Sequence, residues 1–286
     1  MLRVAVEERV VTPAAIRYLM ENNRIEDRMA WWKAEHHGEI VGWAIGGLDA
    51  YAPVRTVAFG GVVVHPDHRR RGHGSDLWDA LFGHLERAGA RRIVAFGHSD
   101  AGSEAFAKAR GFVHEGTHTT LALDPCTLPP VTKPPAGVEI LPLSHFENEP
   151  ERLFDADRES AQDEPGPGDL SGMTLEVWRR LTWNHPDCDR DVGTAAVVDG
   201  EVVGVSFLYT DRATGRGSNA GTGVMREYRG RGLGLLMKHR SLVTAAEVGI
   251  TRVVTQNDDT NTPMLAINRR LGYEPCSAGY AWVLEW

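Results

Sequence analysis

Cysteine is scarce in this chain: Cys126, Cys188 and Cys276 are the three among 286 residues. They lie far apart, are odd in number and form no CxxC pair, which argues against a zinc site or a disulfide framework and leaves reduced structural thiols. Also missing is any apolar run of the ~20 residues that a bilayer-spanning helix needs. The segment Met1–Glu7 is short and charged, unlike a signal peptide, so the expected compartment is the cytoplasm. Basic residues do not predominate: 31 Lys and Arg stand against 39 Asp and Glu, for a net charge of −8. That balance argues against nucleic acid as a partner. A Gly-Lys-Ser/Thr phosphate loop is absent, and a dinucleotide fingerprint would need Gly or Ala where Leu77 and Met237 stand.

What remains is a globular composition, 42% hydrophobic and 24% charged, in a chain long enough for two domains. Its arginines cluster at Arg69, Arg70 and Arg71 and again at Arg226, Arg229 and Arg231, a pattern that suits a small anionic ligand. These clusters belong to an internal repeat. The stretch Val62-Val-Val-His-Pro-Asp-His-Arg-Arg-Arg-Gly-His-Gly74 matches Thr222-Gly-Val-Met-Arg-Glu-Tyr-Arg-Gly-Arg-Gly-Leu-Gly234, at an offset of 160 residues from Gly72 to Gly232. Each stretch precedes a helix-like segment, a short apolar strand (Ile93–Phe96, Val253–Val254), a second helix and a Gly-aromatic pair, Gly111-Phe112 or Gly272-Tyr273.

Between the copies, Asp124–Gly137 holds five prolines and reads as an extended connection. The boundary is placed there, giving domains 1–129 and 130–286. In the first, Leu2–Glu7 alternates as a strand. Thr12 caps a helix with Pro13 in its first turn. Two strands flank His37-Gly38 and a third spans Arg55–Val64. Gly74–Ala88 forms a helix with Leu77, Leu81 and Leu85 on one stripe. The second repeats this. Val138–Leu143 is a strand, Glu149–Arg158 and Thr174–Trp183 are helices, and a hairpin turns at Asp199-Gly200. A strand at Gly217–Met225, a helix from Gly232, a strand at Arg252–Gln256 and a helix from Thr262 follow. Each half thus reads β-α-β-β-β-α-β-α-β, an α/β fold with a mixed sheet flanked by helices. The second half adds Asp163-Glu-Pro-Gly-Pro-Gly-Asp169, readable as a substrate lid or as a solvated connector.

The two Arg-x-x-Gly-x-Gly turns carry the chemistry. Their glycines allow a tight turn and close approach of an anion. The helix that opens there offers unpaired N–H donors and the positive end of its dipole. The arginines add charge-assisted contacts to phosphate oxygens. With Asn261-Thr-Pro-Met-Leu-Ala-Ile-Asn-Arg-Arg-Leu-Gly-Tyr273 and Phe106-Ala-Lys-Ala-Arg-Gly-Phe112, these turns resemble the GNAT superfamily of acyl-CoA N-acyltransferases, in tandem over nearly the whole chain.

The resemblance implies acetyl-CoA as cofactor. Its pyrophosphate would sit on Arg229, Gly230, Arg231, Gly232, Leu233 and Gly234, and on Arg69, Arg70, Arg71, Gly72, His73 and Gly74, with Leu235 and Ser75 as further donors. Pantetheine would pair with Thr222, Gly223 and Val224, or with Val62, Val63 and Val64. Asn257 and Asn261 would line the groove. In such an enzyme an amine attacks the thioester directly. A lysine-like amine has a pKa of about 10.4, so roughly one in two thousand is neutral at pH 7. A general base is therefore expected to help by about 10²–10⁴.

The sequence departs from the family at the acid. A Tyr is expected seven residues after the helix-opening Asn; Asn268 stands there, and Ala107 in the first half. The acid is then Tyr280, Tyr273, water or none. Asn268 itself can bond the sulfur or the cofactor. Asp258, Asp259 and Glu164 are candidate bases, and each also fits a surface charge. His65, His98 and His239 read as peripheral, and Trp31, Trp32, Trp178 and Trp183 as core. The second half, with Asn257, Asn261 and Asn268, reads as catalytic, and the first as accessory. The main expectation is an acetyl-CoA-dependent N-acetyltransferase acting on a small amine, with no metal and no membrane, as a monomeric internal pseudo-dimer or a homodimer. The alternative is an acyl-CoA-binding protein without turnover.

Overall fold

The computed structural model describes residues 9–131 and 133–286; the predicted strand Leu2–Glu7 lies outside them. Thr12 caps α1 (Pro13–Glu21), its hydroxyl accepting from the Ala15 amide at 3.1 Å. The strands β1 (Ala30–His36) and β2 (Glu39–Leu48) meet at His37-Gly38, whose φ values of 51° and 83° make the tight turn that this dipeptide allows. Strand β3 (Val57–Val64), helix α2 (His73–Arg87), strand β4 (Arg92–His98), helix α3 (Ala101–Lys108) and strand β5 (Val113–Leu123) complete the first series. Leu77, Leu81 and Leu85 form the buried stripe of α2, as their spacing predicts.

The second series runs β6 (Val138–Pro142), α4 (Glu151–Ala161), α5 (Leu175–Trp178), β7 (Thr194–Val198), β8 (Glu201–Asp211), β9 (Arg216–Val224), α6 (Leu233–Glu247), β10 (Arg252–Asp258), α7 (Thr262–Leu271) and β11 (Glu274–Glu285). The single helix expected over Thr174–Trp183 is divided: after α5 the chain widens to a π-helical turn, Arg179–Trp183. Asp199-Gly200 turns the β7–β8 hairpin with φ of 51° and 85°.

The eleven strands of the described residues form one sheet, in the order β1-β2-β3-β4-β11-β5-β10-β9-β8-β7-β6. The last strand of each series has changed places. β11 lies between β4 and β5, and β5 pairs with β10. The cores exchange accordingly: Trp282 of β11 packs with Leu81 and Ile93, whereas Leu121 and Leu123 of β5 pack with Leu242 and Val253. The sequence boundary near Pro130 therefore does not divide the sheet.

Neighbouring residues of β9 show which helices cover which face. A Cβ on Gly223 would collide with Ser160 of α4, while the Val224 side chain lies toward Gly234 of α6. Alternation along the strand puts α4 on one face and α6 on the other.

Further ties join the series. Thr12 donates to Asp187, Tyr18 Oη to the Arg180 carbonyl at 3.1 Å, and Arg180 pairs with buried Asp27 at 2.6 Å.

Candidate active site

Strands β9 and β10 run parallel and pair from Arg216–Arg252 to Asn219–Thr255. Beyond Asn219 they part, and an extra residue in β9, Ala220, breaks the register with β8 between Phe207 and Leu208. The result is a wedge between two backbone edges, open toward the C-terminal ends of both strands. β3 and β4 form the equivalent wedge, pairing from Val57–Arg92 to Phe59–Val94 and then parting, without a register shift against β2.

At the mouth of each wedge lies one of the predicted turns. Gly232 caps α6 with φ 78°, and Gly72 caps α2 with φ 91°. Around Gly230 and Gly232 nothing stands within 4 Å of where a Cβ would be, so the backbone faces open space that an anion can fill. The first intrahelical amide of α6 is that of Leu236, bonded to Gly232 O at 3.1 Å. Those of Leu233, Gly234 and Leu235 precede the ladder and are free to donate. In both turns the arginine folds back on the strand: Arg229 Nε donates to Val224 O at 2.9 Å, and Arg69 Nε to Val64 O at 3.2 Å.

The turns differ in detail. At the position where the second has Gly230 (φ 75°), the first has Arg70 with φ 62°, a conformation unfavourable for a side chain. The Ser75 amide bonds back to Gly72 O at 2.8 Å, and Arg110 donates to Ser75 Oγ at 2.9 Å, bridging α2 and α3. His36, His68 and His73 gather near this turn, with ring centroids 5.5 and 6.0 Å from His36. Desolvation, then the neighbouring His37, His68, Arg71 and His73, lowers the His36 pKa. Among the described residues no group of His, Cys, Asp and Glu could hold a metal.

The predicted asparagines meet on the α7 side of the second wedge. Asn268 is fully buried and donates to Asn257 Oδ1 at 2.6 Å. Asn261 caps α7 instead, accepting from the Met264 amide at 3.3 Å. Asp258 accepts from the Thr260 amide at 2.8 Å, and Asp259 from Thr119 Oγ1 at 2.7 Å, so both shape the turn after β10. Tyr280 lies on β11 beside Gly97 and Thr117 and contacts His114, among first-series residues away from this wedge. Thr222 hydrogen-bonds Ser206 at 2.8 Å on the α6 face.

The opposite face carries carboxylates. The acidic loop is anchored by Asp163, which pairs with Arg226 at 2.6 Å and Arg229 at 2.7 Å and whose pKa falls to about 2 through those hydrogen bonds. The loop then crosses toward β4, where Arg92 reaches Pro167 O at 3.4 Å. Gly166 and Pro167 line an open depression of about 420 Å³ with Asp258 and Thr260.

Glu164 touches solvent yet is crowded by protein, and desolvation raises its pKa. Near it stands Asp157 of α4, a residue that sequence reasoning missed. Its carboxylate accepts from Trp178 Nε1 at 2.8 Å. Burial pushes its pKa up to about 6, the Trp178 bond opposes that, and the Glu164 charge adds to it. Tyr51, from the first series, reaches Thr182 at 3.3 Å in the same region. Nothing in the run Asp155-Ala-Asp-Arg158 marks Asp157 out; only the packing of Trp178 singles it from its neighbours.

Comparison with known proteins fits this geometry. The model of the Acetyltransferase (GNAT) family matches residues 5–112 and 151–273. A mycothiol acetyltransferase of Thermomonospora curvata is 32% identical over 241 residues, covering 82% of this chain and 76% of its own. Another, of Nocardioides sp., is 25% identical over 260 residues, covering 86% of each. A tandem GNAT protein from the clavulanic acid biosynthesis pathway superposes with a TM-score of 0.68 at 23% identity, over 99% of this chain and 92% of its own. These likenesses decide for an enzyme over a binding protein without turnover. The chain belongs to the GNAT family as a tandem N-acetyltransferase.

Proposed function

We propose that the protein transfers the acetyl group of acetyl-CoA to the amine of a small molecule in the wedge between β9 and β10, with the second series catalytic and the first accessory. The observation that carries this reading is the parting of β9 and β10 at Asn219, directly behind the open anion turn of α6. The pyrophosphate rests on Gly230–Leu235 and the pantetheine arm pairs with Thr222–Val224. The thioester lies at the vertex. The acceptor enters from the α4 face, beneath the acidic loop, where Asp157 and Glu164 attract an ammonium group. Asp157, rather than Asp258, takes its proton, because Asp157 is an ionised carboxylate at pH 7 whose raised pKa makes it a stronger base than a surface aspartate. The neutral amine then attacks the thioester carbonyl.

Calorimetric titration with acetyl-CoA, followed by CoA release with a panel of amino sugars and amino-acid-derived amines, tests the reading. One binding site per chain and amine-dependent release are expected. Absence of acetyl-CoA binding would overturn it.

A further inference from the structure

A lysine lies buried at the vertex of the second wedge. Lys238 of α6 is 1% exposed, and its ammonium donates to Asn219 Oδ1 at 3.0 Å, the side chain of the last β9 residue paired with β10. The same Asn219 oxygen accepts from Thr222 Oγ1 at 3.1 Å, and Asn219 Nδ2 donates to Phe207 O at 3.0 Å, which fixes the amide's orientation. Below, the ammonium stands 5.2 Å from the centre of the Tyr273 ring. No carboxylate pairs with it among the described residues, and burial lowers its pKa to about 7. An unpaired buried cation is costly to a fold. Its position on the face that carries the anion turn, at the point where the strands part, gives it a use.

The first series shows what the fold does without that use. Trp78 stands 160 positions before Lys238 on the equivalent helix, while Phe59, the residue matching Asn219, lies exposed on the other face of β3. Trp78 packs edge-on to Phe112, 5.3 Å between centroids, where the second series has Lys238 over Tyr273. Ala107 replaces Asn268. Three matched positions, Trp78, Phe112 and Ala107 against Lys238, Tyr273 and Asn268, are apolar in the first series and polar in the second, so neither topology nor core packing requires the lysine.

We propose that Lys238 donates the proton to the departing CoA thiolate, in the place left by the missing family tyrosine. The inference rests on the functional reading above. As the amine nitrogen bonds to the acetyl carbon and releases its second proton to solvent, the C–S bond breaks and its electron pair goes to sulfur. The sulfur takes a proton from Nζ of Lys238, and the neutral lysine regains one from solvent when CoA leaves. Tyr273 is the titratable side chain in contact with the ammonium; Asn219, Thr222 and Ser206 carry no charge.

The test needs no acceptor. CoA is bound to the full chain, and the pH at which its thiol ionises is read from the ultraviolet absorbance of the thiolate. Thiolate and ammonium stabilise each other and titrate as a pair, so the bound thiol of the native protein ionises at least about tenfold more readily than in Lys238→Met. Asn219→Asp, which keeps the cation but gives it a counter-ion, moves the thiol in the same direction as Lys238→Met by a smaller amount and guards against misfolding of the methionine variant. Equal thiol ionisation in all three proteins, with CoA bound in each, overturns the role of Lys238 and leaves the functional reading standing. Failure of the native chain to bind CoA overturns both.

Discussion

The two wedges share strand order, parallel pairing, a glycine-capped helix and an arginine folded onto the strand before it, yet their interiors are opposite in character. In the first, Trp78 and Phe112 put apolar rings where the second has Lys238 and Tyr273. The first is a solution that the fold prefers: apolar rings pack against one another behind the helix that opens the turn. The second tolerates a buried cation and an Asn268 Oδ1 and Tyr273 Oη without hydrogen-bond partners among the described residues. Residues that stability would remove, kept in one copy and absent from the other, mark where chemistry is done. A duplicated fold supplies its own control for that argument.

The comparison breaks most sharply at the turns. Gly232→Trp fills the anion cradle of α6 and is expected to reduce acetyl transfer by about 10²-fold or more, while Gly72→Trp leaves it within about twofold; steady-state CoA release, with thermal unfolding as the fold control, checks both. The reverse ranking would move catalysis to the first wedge.

Next in size is Asp157→Asn, which is expected to lower turnover by about 10²-fold and to remove the acidic limb of the pH–rate profile, whose midpoint lies near 6 in the native enzyme. Trp178→Phe, which deletes the hydrogen bond stabilising the carboxylate, shifts that limb to higher pH. Stability responds with the opposite sign. The Asp157 pKa is raised in the fold, so the protonated form is favoured by folding. That contribution is full below the unfolded value of 3.8 and is lost as pH rises through about 6. Asp157→Asn therefore melts higher than the native protein at pH 7, and the gap closes near pH 4.

Smaller effects test how the series depend on one another. Asp27→Asn weakens the buried pair with Arg180 and the contact with Arg55, and is expected to cost about 3 kcal/mol in urea unfolding. Tyr51→Phe, which removes the 3.3 Å contact to Thr182, costs about 1 kcal/mol.

Much of this was legible in the sequence, because turns and helix stripes are local. Glycines at Gly72 and Gly232, the Asp199-Gly200 turn, the Thr12 cap and the leucine stripe of α2 each state their conformation within a few residues. The exchange of β5 and β11 was not legible. Either arrangement satisfies the same alternation, and the choice is made by partners nearly two hundred positions away, such as Ile93 and Leu284. Tyr280 follows the second half in sequence but completes the first in space, for that reason. Lys238 was hidden differently. Within Leu233–Glu247 apolar residues occur on every side, so the buried face cannot be read, and a lysine beside His239 and Arg240 looks like part of a solvated flank. The motif points Asn261 to the cofactor groove; its side chain also caps α7, a local role that the Asn-Thr-Pro run states by itself.

The exchanged strands bear on how the chain acquires its shape. β4 stands with its edge unpaired until β11 arrives, so the first series cannot finish folding before nearly all of the second has been synthesised. Such non-local pairing slows folding and leaves a strand edge open to other chains in the interval. Cut at the connection near Pro130, neither fragment contains the strand that closes its own sheet. Each would find it in the other fragment, and mixing the two offers a route to reassemble the enzyme from separately expressed pieces.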